Sequence, residues 1–171
     1  NARRPRTART LATLSLSTLA LAAPSLAQTS ISPFHKYVWS ENCGWMNWRD
    51  AGSRGVRVAG TFLAGFVWGE NIGWINLGDG TPANGIAYAN ATGADFGVNL
   101  DAAGNLSGMA WGENIGWINF AGGQLAGGNA MAAKLDRAAQ RFRGYAWGEN
   151  IGWINLNDAT QYVGLGCPAD V

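Results

Sequence analysis

The chain has 171 residues, enough for one domain with a short tail. It is 47% apolar and only 13% charged, which excludes a disordered polyelectrolyte and leaves material for a core. Twenty-five glycines without a triplet period exclude collagen, and nine tryptophans exclude a flexible linker. What remains is a turn-rich β protein.

At the N-terminus, Arg3, Arg4, Arg6 and Arg9 precede an apolar run over residues 11–23, and Ser25-Leu26-Ala27 places small residues at a cleavage point. This is the layout of a secretory signal over residues 1–27. Its apolar run is too short for a permanent bilayer span. A mature chain beginning near Gln28 is expected to be secreted or displayed at the cell surface. Without the four signal arginines, eight cations face eleven acids, a balance of −3. No basic stripe is left to neutralise phosphates, so a nucleic-acid partner is not expected. No second long apolar segment predicts a transmembrane span.

Beyond Gln28 a repeat organises the chain. The nonapeptide WGENIGWIN occurs unchanged at residues 68–76, 111–119 and 147–155, and a diverged copy, WSENCGWMN, occupies 39–47. Upstream of the three identical copies, Gly55-Val56-Arg57-Val58, Gly97-Val98-Asn99-Leu100 and Ala132-Ala133-Lys134-Leu135 read as short alternating strands. A turn follows, then a second strand ending at Trp68, Trp111 or Trp147. The GENI tetrad reverses the chain into a third strand. Each repeat is thus predicted to be a meander of about three strands.

Alternation sorts the faces. Leu63, Gly65, Val67, Ile75 and Leu77, with Val98, Leu100, Leu106, Gly108, Ala110, Ile118 and Phe120, form an aliphatic inner face. Leu135, Phe142, Gly144, Ala146, Ile154 and Leu156 extend it. The opposite face carries Arg57, Asn99, Lys134, Ser107 and Arg143 beside Phe66, Met109, Tyr145 and both tryptophans of every motif. Gly65, Gly108 and Gly144, each in mid-strand, point to close backbone approach or to room for a neighbouring ring. About a dozen short strands in four motif copies curl rather than lie flat. The fold class is therefore all-β, with antiparallel meander repeats in a closed or nearly closed assembly, barrel-like or propeller-like.

The motif residues admit two readings each. Trp68, Trp74, Trp111, Trp117, Trp147 and Trp153, with Asn76, Asn119 and Asn155, could form a platform that stacks on sugar rings. The preferred reading is that the same tryptophans clamp their own turns as cross-strand pairs. Glu41, Glu70, Glu113 and Glu149 offer one acid per turn without a second acid at a fixed offset, so glycosidase chemistry is not supported. They are expected to accept turn N–H bonds, with Asn and Gly at positive φ. Asp79, Asp101, Asp136 and Asp158 could be cation ligands or plain turn caps. No D-x-D-x-D-G loop is present, and no metal or cofactor is called for. His35, the only histidine, has no partner for a triad or zinc site. Cys43 and Cys167 could form a disulfide tying the first repeat to the last, or remain apart.

The WGENIGWIN copies, with Pro82-Ala83-Asn84-Gly85 and Asp95-Phe96-Gly97-Val98, resemble a Trp-rich repeat of exported bacterial proteins, a family without an assigned biochemical role. The resemblance covers residues 37–163. The end, Gly166-Cys167-Pro168-Ala169-Asp170-Val171, is similar to the opening of dockerin-type anchoring modules. That likeness implies an anchoring module beginning at 166 and continuing past Val171, a surface-protein partner, and a Cys167 that pairs within the module. The domain reading is a signal over 1–27, a Trp-rich β-repeat domain over 28–165, and that module. The functional expectation is a non-catalytic secreted or surface protein with a structural or adhesive role. The alternative is a lectin-like carbohydrate-binding module with a polysaccharide partner. An enzyme is not expected, for want of a convergent acid–base or nucleophile set.

Overall fold

The structure, a computed structural model, describes residues 29–122 and 131–166. Residues 1–27, expected to be a signal, Cys167 and hence the Cys43–Cys167 pairing, and residues 167–171 of the expected 166–171 module lie outside the described residues. The described chain forms fourteen strands, one short 3-10 turn and no α-helix. In chain order they are β1 (Ile31–Ser40), β2 (Gly44–Asn47), β3 (Arg57–Val58), β4 (Leu63–Ala64), β5 (Phe66–Gly69), β6 (Gly73–Asn76) and β7 (Val98–Leu100). There follow β8 (Leu106–Gly112), β9 (Gly116–Asn119), β10 (Lys134–Asp136), β11 (Arg141–Arg143), β12 (Tyr145–Gly148), β13 (Gly152–Asn155) and β14 (Val163–Leu165).

Each motif copy is one hairpin: β1–β2, β5–β6, β8–β9 and β12–β13. Neighbouring hairpins pair through β2–β5, β6–β8 and β9–β12, and β13 returns to β1. Eight antiparallel strands therefore close a barrel. Of the two closures the pattern allowed, the barrel is realised, because the seams between repeats carry ladder bonds. At every seam the last Asn of one motif faces the first Trp of the next: Asn47 with Trp68, Asn76 with Trp111, Asn119 with Trp147, Asn155 with Trp39. Outside the ring, β3–β4, β7 with β8, and β10–β11 complete the meanders, and β14 bridges β11 to β1.

The second strand of each meander passes from the outer ladder into the ring at Gly65, Gly108 or Gly144. These residues have φ of +99°, +86° and +81°. A Cβ there would lie 2.5, 2.3 and 2.2 Å from the carbonyl oxygens of Gly55, Gly97 and Ala132. The mid-strand glycines thus mark close backbone approach, and no other residue fits.

The inner face fills the barrel in layers of four. Val38, Val67, Ala110 and Ala146 stand directly opposite Met46, Ile75, Ile118 and Ile154, so smaller and larger side chains alternate round the ring. All eight are buried. The residue after each motif, Trp48, Leu77, Phe120 or Leu156, closes the linker end and is also buried. Trp48 meets Phe120 and Phe142 there, at ring separations of 6.3 and 5.3 Å.

At the other end the four turns meet. Cys43, Ile72, Ile115 and Ile151 point inward and are buried. The turn residues at positive φ are Gly44, Gly73, Gly116 and Gly152, at +71° to +76°. The motif Asn has a different task from the one expected. Asn71 Nδ2 donates to the Cys43 carbonyl (3.2 Å), Asn114 to Ile72 (3.1 Å), Asn150 to Ile115 (3.1 Å) and Asn42 to Ile151 (3.0 Å). Each turn is latched to the turn before it, and the fourth latch closes the cycle. Glu41, Glu70, Glu113 and Glu149 are exposed and make none of these bonds. Their carboxylates stay with solvent because the amide, a donor, is what a neighbouring carbonyl needs.

The diverged copy keeps the same packing by a coupled change. At Gly69, Gly112 and Gly148 a Cβ would lie 2.5–2.7 Å from Cγ1 of the turn Ile of its own copy. In the first copy Ser40 stands at this position, and Cys43 has replaced the Ile it would strike. Cys43→Ile alone is therefore expected to cost about 1–3 kcal/mol by overpacking. Ser40→Gly in the same chain should recover most of that loss, as read from urea unfolding of the two single variants and the double. Asn114→Ala, which removes one latch and leaves the Ile72 carbonyl unpaired, should cost about 1 kcal/mol in the same assay.

Candidate functional site

With the inner face facing the barrel axis, both tryptophans of every motif must face outward. They form four cross-strand pairs with ring centroids 5.0 Å (Trp39–Trp45), 4.6 Å (Trp68–Trp74), 4.7 Å (Trp111–Trp117) and 4.5 Å (Trp147–Trp153) apart. A third aromatic sits edge-on in three copies: Tyr37 on Trp45, Phe66 on Trp74, and Tyr145 on Trp153. The third copy has Met109 in that place, and Phe96 arrives from the linker to pack on Trp117 at 5.1 Å. Pairing does not bury them. Trp39, Trp45, Trp68, Trp74, Trp111 and Trp117 are 36–48% exposed, and Trp147 and Trp153 are half-buried. The result is an outer belt of four aromatic clusters, one per hairpin, around the barrel.

The closing Asn of each motif stands within this belt, across from Tyr37, Phe66, Met109 or Tyr145. Its Oδ1 is committed to the chain: Asn76 accepts from Gly78 N–H, Asn119 from Ala121 and Asn155 from Asn157, each at 2.8 Å. These side chains therefore end their strands. What they retain for a ligand is the amide NH₂.

The belt is uneven because the linkers differ. Residues 49–55 fold back as an arm over the second hairpin. Its 3-10 turn, Gly52–Arg54, is held by Arg54 N–H donating to Ala51 (3.0 Å) and by Val56 N–H donating to Trp48 (2.8 Å), with Val56 fully buried. Arm and belt enclose a cleft of about 720 Å³ at the β6–β8 seam, lined by Ala51, Gly52, Arg54, Phe66, Trp74, Asn76, Trp111 and Glu113. The Arg54 guanidinium lies 5.9 Å from the Phe66 ring centre. At the same repeat position in the next hairpin, the linker makes a smaller cleft of about 260 Å³ from Asn90, Ala91, Thr92, Gly93, Phe96, Met109 and Trp117.

Of the residues singled out in sequence, Trp74, Asn76 and Trp111 converge on the larger cleft and Trp117 on the smaller. Trp68, Trp147, Trp153, Asn119 and Asn155 belong to the belt outside both linings. Arg54 and Phe66 also line the larger cleft, as does Glu113, which the sequence presents as a turn acid. Repeat arithmetic finds residues that recur, whereas Arg54 lies on a linker that does not. Its charge beside an aromatic-rich hairpin was the only available signal.

Asp79, Asp101, Asp136 and Asp158 behave as turn caps. Asp79 accepts from Thr81, Asp101 from Asn105, Asp136 from Ala139, and Asp158 from Thr160 and Gln161, at 2.8–3.0 Å from backbone nitrogen. The described residues contain no group of three or more metal-ligating side chains. His35 stacks on Tyr162 at 4.3 Å, and the other face of Tyr162 packs near the buried Arg141 guanidinium, 3.8 Å from the ring centre. No described helix is long and apolar enough to cross a membrane.

The caps have a pH signature. Hydrogen bonds hold all four aspartates below the ordinary carboxylate range; the largest contributions come from the side chains of Thr81 and Asn105 and the backbone N–H of Ala139 and Gln161. Asp50 is lowered likewise, chiefly by Lys36. A lowered folded-state pKa means that the unfolded chain binds more protons. The stabilisation is therefore complete above the unfolded value of about 3.9 and is lost as pH falls through the folded values. Urea midpoints should stay level from pH 7 to 5 and drop below pH 4. Asp79→Asn, Asp101→Asn and Asp158→Asn combined should flatten that drop.

No protein family, no curated protein and no solved structure matches this chain.

Proposed function

We propose that this chain is a non-catalytic, exported adhesive module that holds a partner surface against its outer belt of tryptophans. The observation that carries this reading is the placement of eight indoles on the outside of a barrel whose interior is already filled by aliphatic side chains. Apolar rings exposed on every hairpin at this density suit contact with another surface. Aromatic pairing fixes them at low entropic cost, so a partner meets a rigid face. Six of the eight ring strands are four residues long, well short of the roughly 9–11 a bilayer-spanning strand requires, so the belt is read as a contact surface rather than a membrane girdle.

A second reading, recognition of a polysaccharide, is favoured by the β6–β8 cleft, where indoles are joined by charged and amide groups. Flat apolar faces with a polar rim suit the two-sided character of a sugar ring.

The full chain is expected to be retained on insoluble polysaccharide or cell-surface material, with Trp emission that iodide quenches in the free state and the partner protects. Trp74→Ala, Trp117→Ala and Trp153→Ala should each lose about 0.5–1.5 kcal/mol of pairing energy, keep the folded barrel, and together abolish retention. Unfolding by each single change, or full retention by a folded triple variant, would reassign the indoles to clamping the hairpins.

A further inference from the structure

We infer that the cleft at the β6–β8 seam is a binding subsite for a neutral pyranose unit, and that the arm carrying Arg54, rather than the repeated motif, makes it selective. This rests on the polysaccharide reading above and assigns it a place and a chemistry.

The argument begins with what the cleft offers. Trp74, Trp111 and Phe66 line it with aromatic carbon, and Arg54, Asn76 and Glu113 supply polar groups at the same opening. A pyranose presents an apolar C–H face and a rim of hydroxyls that both donate and accept. Its hydroxyls therefore need donors and acceptors together. Arg54 brings a planar fork of N–H donors and Glu113 two acceptor oxygens, both suited to adjacent hydroxyl pairs. Asn76 has its Oδ1 engaged by Gly78 N–H at 2.8 Å, so the NH₂ is the group it can present.

Charge narrows the ligand class. A phosphate, sulfate or carboxylate drawn by Arg54 meets Glu113, and an ammonium drawn by Glu113 meets Arg54. A neutral polyhydroxyl ligand accepts from Arg54 and donates to Glu113 without placing a like charge beside either. The volume, about 720 Å³, lies within the range of ligand clefts. The arm is pre-organised through its 3-10 turn and the buried Val56, so little order has to be gained on binding.

Comparison within the molecule shows why the motif alone is insufficient. The next hairpin has the same nine motif residues, yet its cleft is about 260 Å³ and its lining has no charged side chain. Glu149 occupies the motif position of Glu113 and does not belong to that lining.

The test titrates the full chain with cellohexaose, laminarihexaose, chitohexaose and mannohexaose, and with polygalacturonate and heparin as anionic probes, followed by calorimetry and Trp emission. One or more neutral oligosaccharides should bind at one site per chain. Glu113→Gln and Trp111→Ala should each weaken that binding roughly tenfold or more, and Arg54→Met about fivefold, in line with loss of charge-assisted hydrogen bonds or a stacking face. Glu149→Gln should stay within about twofold. Binding of the anionic probes alone, four equivalent sites per chain, or equal losses for Glu149→Gln and Glu113→Gln would each overturn the inference. So would a neutral panel that does not bind. Retention of the full chain on insoluble polysaccharide separates the two readings. If retention persists where the oligosaccharides fail, only the subsite falls; if wild type is not retained on any surface, the adhesive reading falls with it.

Discussion

Strands of four residues cannot stabilise an open sheet, and this constraint governs the rest of the molecule. Each such strand buries few side chains and leaves a full edge of unpaired backbone. Closing six of them with the longer β1 and β8 into a ring removes the edges and lets four hairpins share one interior. The seams between hairpins contain only two paired positions each, against four within a hairpin. The Asn-to-carbonyl cycle at the turn end supplements those short seams. At the linker end Trp48, Leu77, Phe120 and Leu156 do the same by packing.

Closure also determines what the tryptophans can be. The inward positions of the four hairpins are filled by Val, Ala, Met and Ile, so alternation sends the paired indoles outward, and cross-strand register places each pair in contact. Clamping a hairpin and presenting a surface are then the same arrangement seen from two sides. The pairs hold the hairpins while leaving a third to a half of most rings accessible. The variable linkers break the fourfold likeness. The 49–55 arm deepens one seam and adds a cation, whereas the linker before the third hairpin adds Phe96 and fills the place of a missing aromatic.

Divergence in the first copy follows the same steric rule. A Gly-to-Ser change and an Ile-to-Cys change look like two independent lapses when read along the chain. In the barrel they are one exchange of volume between neighbouring atoms. Trp48, the tryptophan outside the motif pattern, is the one indole admitted to the interior layer at the linker end, where its counterparts are two leucines and Phe120.

Much of this was legible in the residues. Strict alternation from Leu106 to Ala110 and Ile118 to Phe120 separates inner from outer face, because only period two keeps aliphatics on one side of a pleat. Gly65, Gly108 and Gly144, repeated in mid-strand, point to a close approach of either backbone or a ring, and the structure puts backbone carbonyls there. The repeat itself implies a ring or an array, because one hairpin cannot bury its own face. Tertiary structure alone decided the rest. Barrel rather than propeller depends on whether Asn76 pairs with Trp111 across a seam, a contact between units whose separation in sequence carries no period. The role of Asn42, Asn71, Asn114 and Asn150 depends on a carbonyl in a different turn, up to 109 residues away. Arg54 reaches Phe66 and the neighbourhood of Glu113 only because a linker folds back on the ring. Sequence periodicity records which side of a strand faces water; which strands become neighbours is settled by the closure of the sheet.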